Sequence, residues 1–257
     1  MNKILMGIIA SVSGLALSMP LSGFAQNASS FSPAQQQDIQ KIVHDYLVKN
    51  PEVLVEASQA LQEKEMAKVK SAALQGIAQN KDKLFNNPHS PTAGNPNGNV
   101  ILVEFFDYQC GHCVEMQPVI EKLLSTHSNV KMIYKQFPIF GGMSDYAAKA
   151  ALASVKQGKY LEFHNALFRM GGKLDENKIL QAAQSVGLNI DQLKKDMNDP
   201  AIKQQIAENY QLAKDLRLVG TPSFVLSNKA LTQFDFIPGA APEDLFLQAV
   251  DNIAKKQ

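Results

Sequence analysis

The chain has 257 residues, 25 Lys and Arg against 24 Asp and Glu, a formal charge of +1 and two cysteines. This near-neutral balance excludes a nucleic-acid binder, which needs surplus basic charge on one face. Two cysteines exclude a four-cysteine zinc site or a disulfide-dense mini-protein. Hydrophobic residues at 45% and charged residues at 19% describe a folded chain rather than a disordered one.

Residues 1–25 read as a secretory signal. Lys3 supplies the basic start. Ile4 to Leu17 form a short apolar stretch interrupted by Gly7, Ser11, Ser13 and Gly14. Gly23 and Ala25 place small residues at the −3 and −1 positions, so cleavage is expected after Ala25. The stretch falls short of the ~20 apolar residues of a spanning helix. An exported chain meets oxidising conditions in which a cysteine pair can rest as a disulfide.

Ser32-Pro33-Ala34-Gln35 is a helix start, with Ser as N-cap, Pro at the first helical position and Gln at the third. Ile39, Ile42, Val43, Tyr46 and Leu47 then recur at helical spacing. Asn50-Pro51 ends this helix and opens another. Leu54, Ala57 and Leu61 make one stripe and Met66, Val69, Ala73 and Ile77 a second, with a slip between Leu61 and Met66. Residues 26–82 are therefore assigned to an N-terminal helical arm. Its stripe over 33–80 either packs on its own domain or pairs with a second subunit. Its length and narrow stripe favour the pairing, and a homodimer is expected.

Asn86 to Asn99, with Pro88, Pro91, Pro96, Gly94 and Gly98, reads as a loop. Val100 to Phe106 is an apolar run broken by Glu104, the pattern of a strand buried on both faces. A helix is expected from about Cys110 to Ser125, kinked at Pro118, then a strand over Val130 to Phe137. Ser144 to Leu216 read as helices with breaks at Gly158, Gly171-Gly172, Gly187 and Asp199-Pro200. Strands over Ser223 to Leu226 and Thr232 to Ile237 precede a last helix from Pro242. The order makes an α/β protein with a long helical insert, 141–217, inside a domain spanning 83–257.

The chemistry centres on Cys110-Gly111-His112-Cys113. A pair spaced this way at a helix start brings two sulfurs together on one turn. The first sulfur sits where free N–H groups and the helix dipole favour negative charge. Thiol pKa values in such motifs fall to about 3.5–7.5. His112 is placed to donate a hydrogen bond or positive charge to that thiolate. Cys110 is expected to be the attacking and attacked sulfur, and Cys113, one turn in, to resolve the mixed disulfide. So short a loop adds little chain-entropy stabilisation, so the redox disulfide Cys110–Cys113 is a chemical rather than a structural bond. Haem attachment would need His at position 114, where Val stands. His44, His89, His127 and His164 show no metal-ligand spacing, so no metal and no organic cofactor is expected.

Glu104, in the buried strand, is read as a proton acceptor for Cys113 during exchange; the alternative is a carboxylate paired with Lys135 on the next strand. Asp107 is read as a turn or helix-start residue. Thr221-Pro222 precedes a strand, where a cis peptide bond would turn Thr221 towards the cysteines as a substrate-binding element; a trans loop proline is the commoner case.

Three segments carry a resemblance: Phe105-Phe106-Asp107-Tyr108-Gln109-Cys110-Gly111-His112-Cys113, Lys159 to Phe168 and Val219-Gly220-Thr221-Pro222-Ser223-Phe224. They are similar to the DsbA family of bacterial periplasmic thiol–disulfide oxidoreductases over about residues 84–257. The resemblance implies a thioredoxin fold with an inserted helical domain, a cis Pro222, Cys110 as nucleophile and Glu104 as the buried acid. The arm resembles the dimerising extensions of the Com1-like subgroup, whose members can combine oxidase and isomerase behaviour. Gly111 and Thr221 depart from the best-known oxidase, which has Pro and Val there. The expected partners are exported protein substrates with cysteines and a membrane redox partner. A non-catalytic chaperone and a metal-binding module built on the same pair are the competing classes.

Overall fold

A computed structural model describes residues 31–255. The expected signal segment and its cleavage site after Ala25 lie outside the described residues. The chain divides between Ser58 and Gln59 into two compact units.

The first unit holds α1 (Pro33–Lys49) and the start of α2 (Glu52–Gln79). The capping box read at Ser32 forms: Gln35 N–H donates to the Ser32 hydroxyl at 3.3 Å, and Ser32 N–H donates to the Gln35 side chain at 2.8 Å. Asn50-Pro51 separates the helices as expected. No residue of α1 is buried; Ile42 is 67% and Tyr46 55% exposed.

The second unit begins with the rest of α2, whose second stripe does two things. Met66 stays exposed, while Ala73, Gly76 and Ile77 are buried. Gly76 is required by close approach: a Cβ there would stand 2.7 Å from the Asp215 carbonyl oxygen and 2.9 Å from the Leu216 Cα. After α3 (Lys81–Phe85) comes a five-stranded sheet ordered β1-β3-β2-β4-β5. Its strands are β1 (Thr92–Gly94), β2 (Val100–Phe106), β3 (Val130–Gln136), β4 (Ser223–Asn228) and β5 (Phe234–Pro238). β2 and β3 run parallel; the other pairs are antiparallel.

Alternation along β2 explains its unbroken apolar run, because both faces are covered. Val100, Leu102 and Phe106 join a core with α4 (Gly111–Thr126), α6 (Tyr160–Met170) and α10 (Glu243–Ala254). Ile101, Val103 and Phe105 join a second core with Ala73, Ile77, Leu84, Phe85 and α9 (Pro200–Asp215). Between α4 and β4 the insert adds α5 (Met143–Ser154), α7 (Glu176–Ser185) and α8 (Ile190–Asp196) to α6 and α9.

Two local expectations change. The segment expected as a loop over 86–99 contains β1, three residues paired antiparallel with β3; so short a strand carries no readable period. β5 starts at Phe234 rather than Thr232, because the N–H groups of Thr232 and Gln233 donate to the Asn228 side chain, at 3.0 and 3.1 Å.

Candidate redox site

The site lies where β2 ends and α4 begins. Cys110 is the N-cap of α4, with extended backbone (φ −77°, ψ 117°), so its sulfur occupies the position of a capping oxygen. It is 5% exposed, and Cys113, one turn along, is fully buried. The two are unbridged. The Cys113 thiol, foremost, with the amides of Cys113 and His112, pulls the Cys110 thiol down to about 5, against the opposing effect of burial. Cys113 moves the other way: burial, then the Cys110 sulfur and Glu104, push its thiol far above the usual range. One sulfur is thus prepared as an anion and its neighbour as a neutral thiol.

Glu104 is fully buried on the same sheet face, and neither carboxyl oxygen has a hydrogen-bond partner. Burial, reinforced by the Cys110 charge, pushes it up to about 8, so the group is an uncharged acid at neutral pH. The alternative pairing with Lys135 is excluded by register. Glu104 stands opposite Tyr134 and Phe105 opposite Lys135, so the two side chains leave the sheet on opposite faces.

The His112 ring is turned to solvent, where Nδ1 meets the Glu115 carboxylate at 2.9 Å; that contact, and last the Cys110 charge, raise its pKa. Its backbone N–H also serves the Cys110 sulfur. Thr221-Pro222 is a cis peptide bond. The Thr221 carbonyl oxygen accepts from Cys110 Sγ at 3.2 Å.

Four further residues hold this turn; Asp107 was expected there as a turn or helix-start residue, while Tyr108, Gln109 and His164 had no part in the site read for them beyond a place in a motif. Asp107 is buried, accepting from Gln109 N–H at 2.7 Å, the Ser144 hydroxyl at 2.7 Å and Phe140 N–H at 3.1 Å. The Gln109 side chain donates to Ser144 at 3.0 Å and accepts from Leu174 N–H at 3.3 Å. Tyr108 packs among Phe106, His164 and Phe168. Its hydroxyl meets His164 Nδ1 at 3.0 Å and accepts from Gln136 at 3.3 Å. Burial pulls His164 down to about 3, so its ring is neutral. The available signal was polarity out of place: Asp107 and Gln109 in an apolar stretch, and His164 on the apolar face of α6. Among the described residues no group of three or more His, Cys, Asp or Glu could hold a metal ion, and no helix is long and apolar enough to cross a membrane.

A cysteine pair at the first turn of the helix after the central strand, facing a cis-proline loop, defines a thioredoxin-fold protein of the thiol–disulfide exchange class. Residues 101–251 match the DSBA-like thioredoxin domain, and the chain belongs to that family. Residues 35–68 match the copper resistance protein ScsC N-terminal domain. A thioredoxin-like oxidoreductase from Silicibacter pomeroyi is 42% identical, covering 69% of this chain and 99% of its own, with a TM-score of 0.64. Proteus mirabilis ScsC in a transitional conformation is 30% identical, covering 89% of this chain and 99% of its own, also with a TM-score of 0.64. The thiol:disulfide interchange protein DsbA of Pseudomonas syringae is 29% identical over 62% of this chain and 76% of its own length. The chain also matches a Na(+)/H(+) antiporter NhaA of Salinispora arenicola, 27% identical over 51% of this chain, and there it spans only 20% of the relative's length.

Proposed function

We propose that the chain is a periplasmic thiol–disulfide oxidoreductase that forms or isomerises disulfides in exported proteins through Cys110 and Cys113. The observation that carries this reading is the divided character of the pair: Cys110 at the helix N-terminus, pulled down to about 5, and Cys113 buried beside the protonated Glu104.

In oxidation, a substrate thiolate attacks Cys110 Sγ of the Cys110–Cys113 disulfide. The S–S bond breaks, a substrate–Cys110 mixed disulfide forms, and Cys113 leaves with the electron pair. Glu104 is the acid that protonates it. A second substrate thiolate then attacks the substrate sulfur of the mixed disulfide and expels Cys110, whose low pKa makes it a good leaving group. The substrate loses two electrons and the pair gains them, so a membrane partner must take them away. In isomerisation, reduced Cys110 attacks a wrong disulfide and is expelled once the substrate has reshuffled. The Thr221 carbonyl, 3.2 Å from Cys110 Sγ, is placed to hold the backbone of the incoming peptide.

The arm over 33–80 is proposed to join two copies in a homodimer. The exposed apolar residues of α1 support this. The signal segment 1–25 supports export, as does the likeness to a periplasmic thioredoxin-like protein from Salmonella enterica, 29% identical.

The test is turnover of a reduced and a scrambled model substrate by wild type, Cys110→Ser and Cys113→Ser. Cys110→Ser should lose both activities, and Cys113→Ser should accumulate mixed disulfide through Cys110. Full activity in Cys110→Ser would replace this reading with a chaperone.

A further inference from the structure

α9 ends in a Schellman turn. Leu216 is the C-cap; Arg217 N–H donates to the Lys214 carbonyl at 3.0 Å and Leu218 N–H to the Ala213 carbonyl at 2.9 Å. The turn needs a left-handed residue at Arg217, where φ is 54°. Glycine takes that conformation freely, whereas a residue with a Cβ is strained in it. Among the described residues one other non-glycine has a positive φ, Leu231, also at 54°. Leu231 packs against the second core, and its carbonyl accepts from the Lys81 ammonium at 2.8 Å, so its own fold holds it there. Arg217 is exposed, and its guanidinium makes no hydrogen bond or ion pair among the described residues.

The side chain is as unusual as its backbone. Of the 25 basic residues only Arg169 and Arg217 are arginines. Arg169 faces Glu121 at 3.1 Å. Asp215, the acid nearest Arg217 along the chain, is engaged: its carboxylate accepts from Gln211 at 2.7 Å and faces Lys83 at 3.8 Å. The dipole of α9 does not require an arginine either, because Lys214 already stands in the last turn. What arginine adds over lysine is a planar fork that grips a carboxylate through two hydrogen bonds. No contact within the described chain offsets the strain at Arg217, so the contact that does lies outside it.

The path from Arg217 to the reactive sulfur is short and open. Val219 is 78% exposed, and the Thr221 carbonyl lies 3.2 Å from Cys110 Sγ. The four residues from Arg217 to Thr221 span at most about 14 Å. A peptide held at the Thr221 carbonyl, with its cysteine on Cys110, brings residues two to four places from that cysteine within reach of the guanidinium.

We propose that Arg217 determines substrate specificity, selecting peptides with an acidic side chain two to four residues from the reacting cysteine. This rests on the exchange reading of Cys110 and names the class of substrate that reading leaves open.

The test uses the oxidised full mature chain and two reduced synthetic peptides. Each has two cysteines, and they differ only in carrying Glu or Gln at the second to fourth positions on either side of the first cysteine. Disulfide formation is followed by mass at low and at high salt. The Glu-to-Gln ratio of rates is the readout, so a general loss of activity cancels. At low salt the ratio should be about threefold higher in wild type than in Arg217→Gln, the worth of an exposed ion pair, and the difference should shrink at high salt. Arg217→Lys should fall between them. Arg217→Gly should match Arg217→Gln in ratio and raise the thermal midpoint by about 2–4 °C, because glycine relieves the left-handed turn. Equal ratios in wild type and Arg217→Gln, a difference unmoved by salt, or a lower midpoint in Arg217→Gly would each overturn the proposal. Oxidation of neither peptide by the wild type would instead remove the exchange reading, and this selection with it.

Discussion

Cys110 and Glu104 exchange the usual order of acidity. The thiol is pulled down to about 5 and the carboxyl pushed up to about 8. Their effects on stability have opposite signs. Between pH 4.5 and 8 the native state holds a Glu104 proton that the unfolded chain has released, so stability falls as pH rises, by about 1.4 kcal/mol per unit at most. Between pH 5 and 9 native Cys110 has lost a proton that the unfolded thiol keeps, so stability rises with pH. In the reduced protein the two slopes oppose each other. In the disulfide form the thiol no longer titrates, and the Glu104 slope stands alone; burial, its larger cause, persists there. Urea denaturation at pH 5, 6, 7 and 8 should give a falling stability for the oxidised protein and a flatter profile for the reduced one. Glu104→Gln should flatten the oxidised profile. A steep fall in oxidised Glu104→Gln would assign the slope to another group. At this scale the sequence was informative about the cysteines and Glu104, because a carboxylate in an apolar run is visible without coordinates. It was silent on whether Glu104 meets Lys135, since that turns on the β2–β3 register, which no local pattern encodes.

The elements around the site are fastened by side chains from the turn between β2 and α4. Asp107 ties the turn to Phe140 and Ser144, at the start of α5, and Gln109 ties it to Leu174 before α7. Tyr108 reaches His164 on α6. The helical insert is therefore bolted to the same few residues that present Cys110. Asp107→Ala leaves two N–H groups and a hydroxyl without their acceptor and should cost about 3 kcal/mol in a denaturation midpoint analysis. Tyr108→Phe keeps the ring packing and loses two hydrogen bonds of one hydroxyl, so its cost should be smaller, about 1 kcal/mol. Equal costs would mean that the aromatic cluster, not Asp107, holds the turn. Helix starts were legible from Ser32-Pro33 and Asp199-Pro200, because capping chemistry is local. β1 and the late start of β5 were not, because one rests on three residues finding β3 and the other on the Asn228 side chain taking two backbone donors.

On the scale of the whole molecule, the order of strands and helices was readable because β2 is apolar on both faces and the insert is punctuated by glycines. The arm was readable only as a stripe, and the structure divides its use. The end of α2 belongs to the core of the second unit through Ala73 and Ile77, while α1 leaves Ile39, Ile42, Val43 and Tyr46 exposed. A truncation reaching residue 80 would therefore strip the core as well as the arm. A point change within α1 is the cleaner probe. Ile42→Asp in the full mature chain should reduce the mass in solution to that of one chain and leave its circular dichroism melt unchanged; an unaltered mass would remove Ile42 from the proposed contact. The burial of Cys113 has one more consequence. The chain contains no tryptophan, so the usual fluorescent reporter of unfolding is missing. A bulky alkylating reagent at neutral pH should add one label to the reduced native protein, at Cys110, and two once it opens. The ratio of doubly to singly labelled mass would then report how often the molecule breathes.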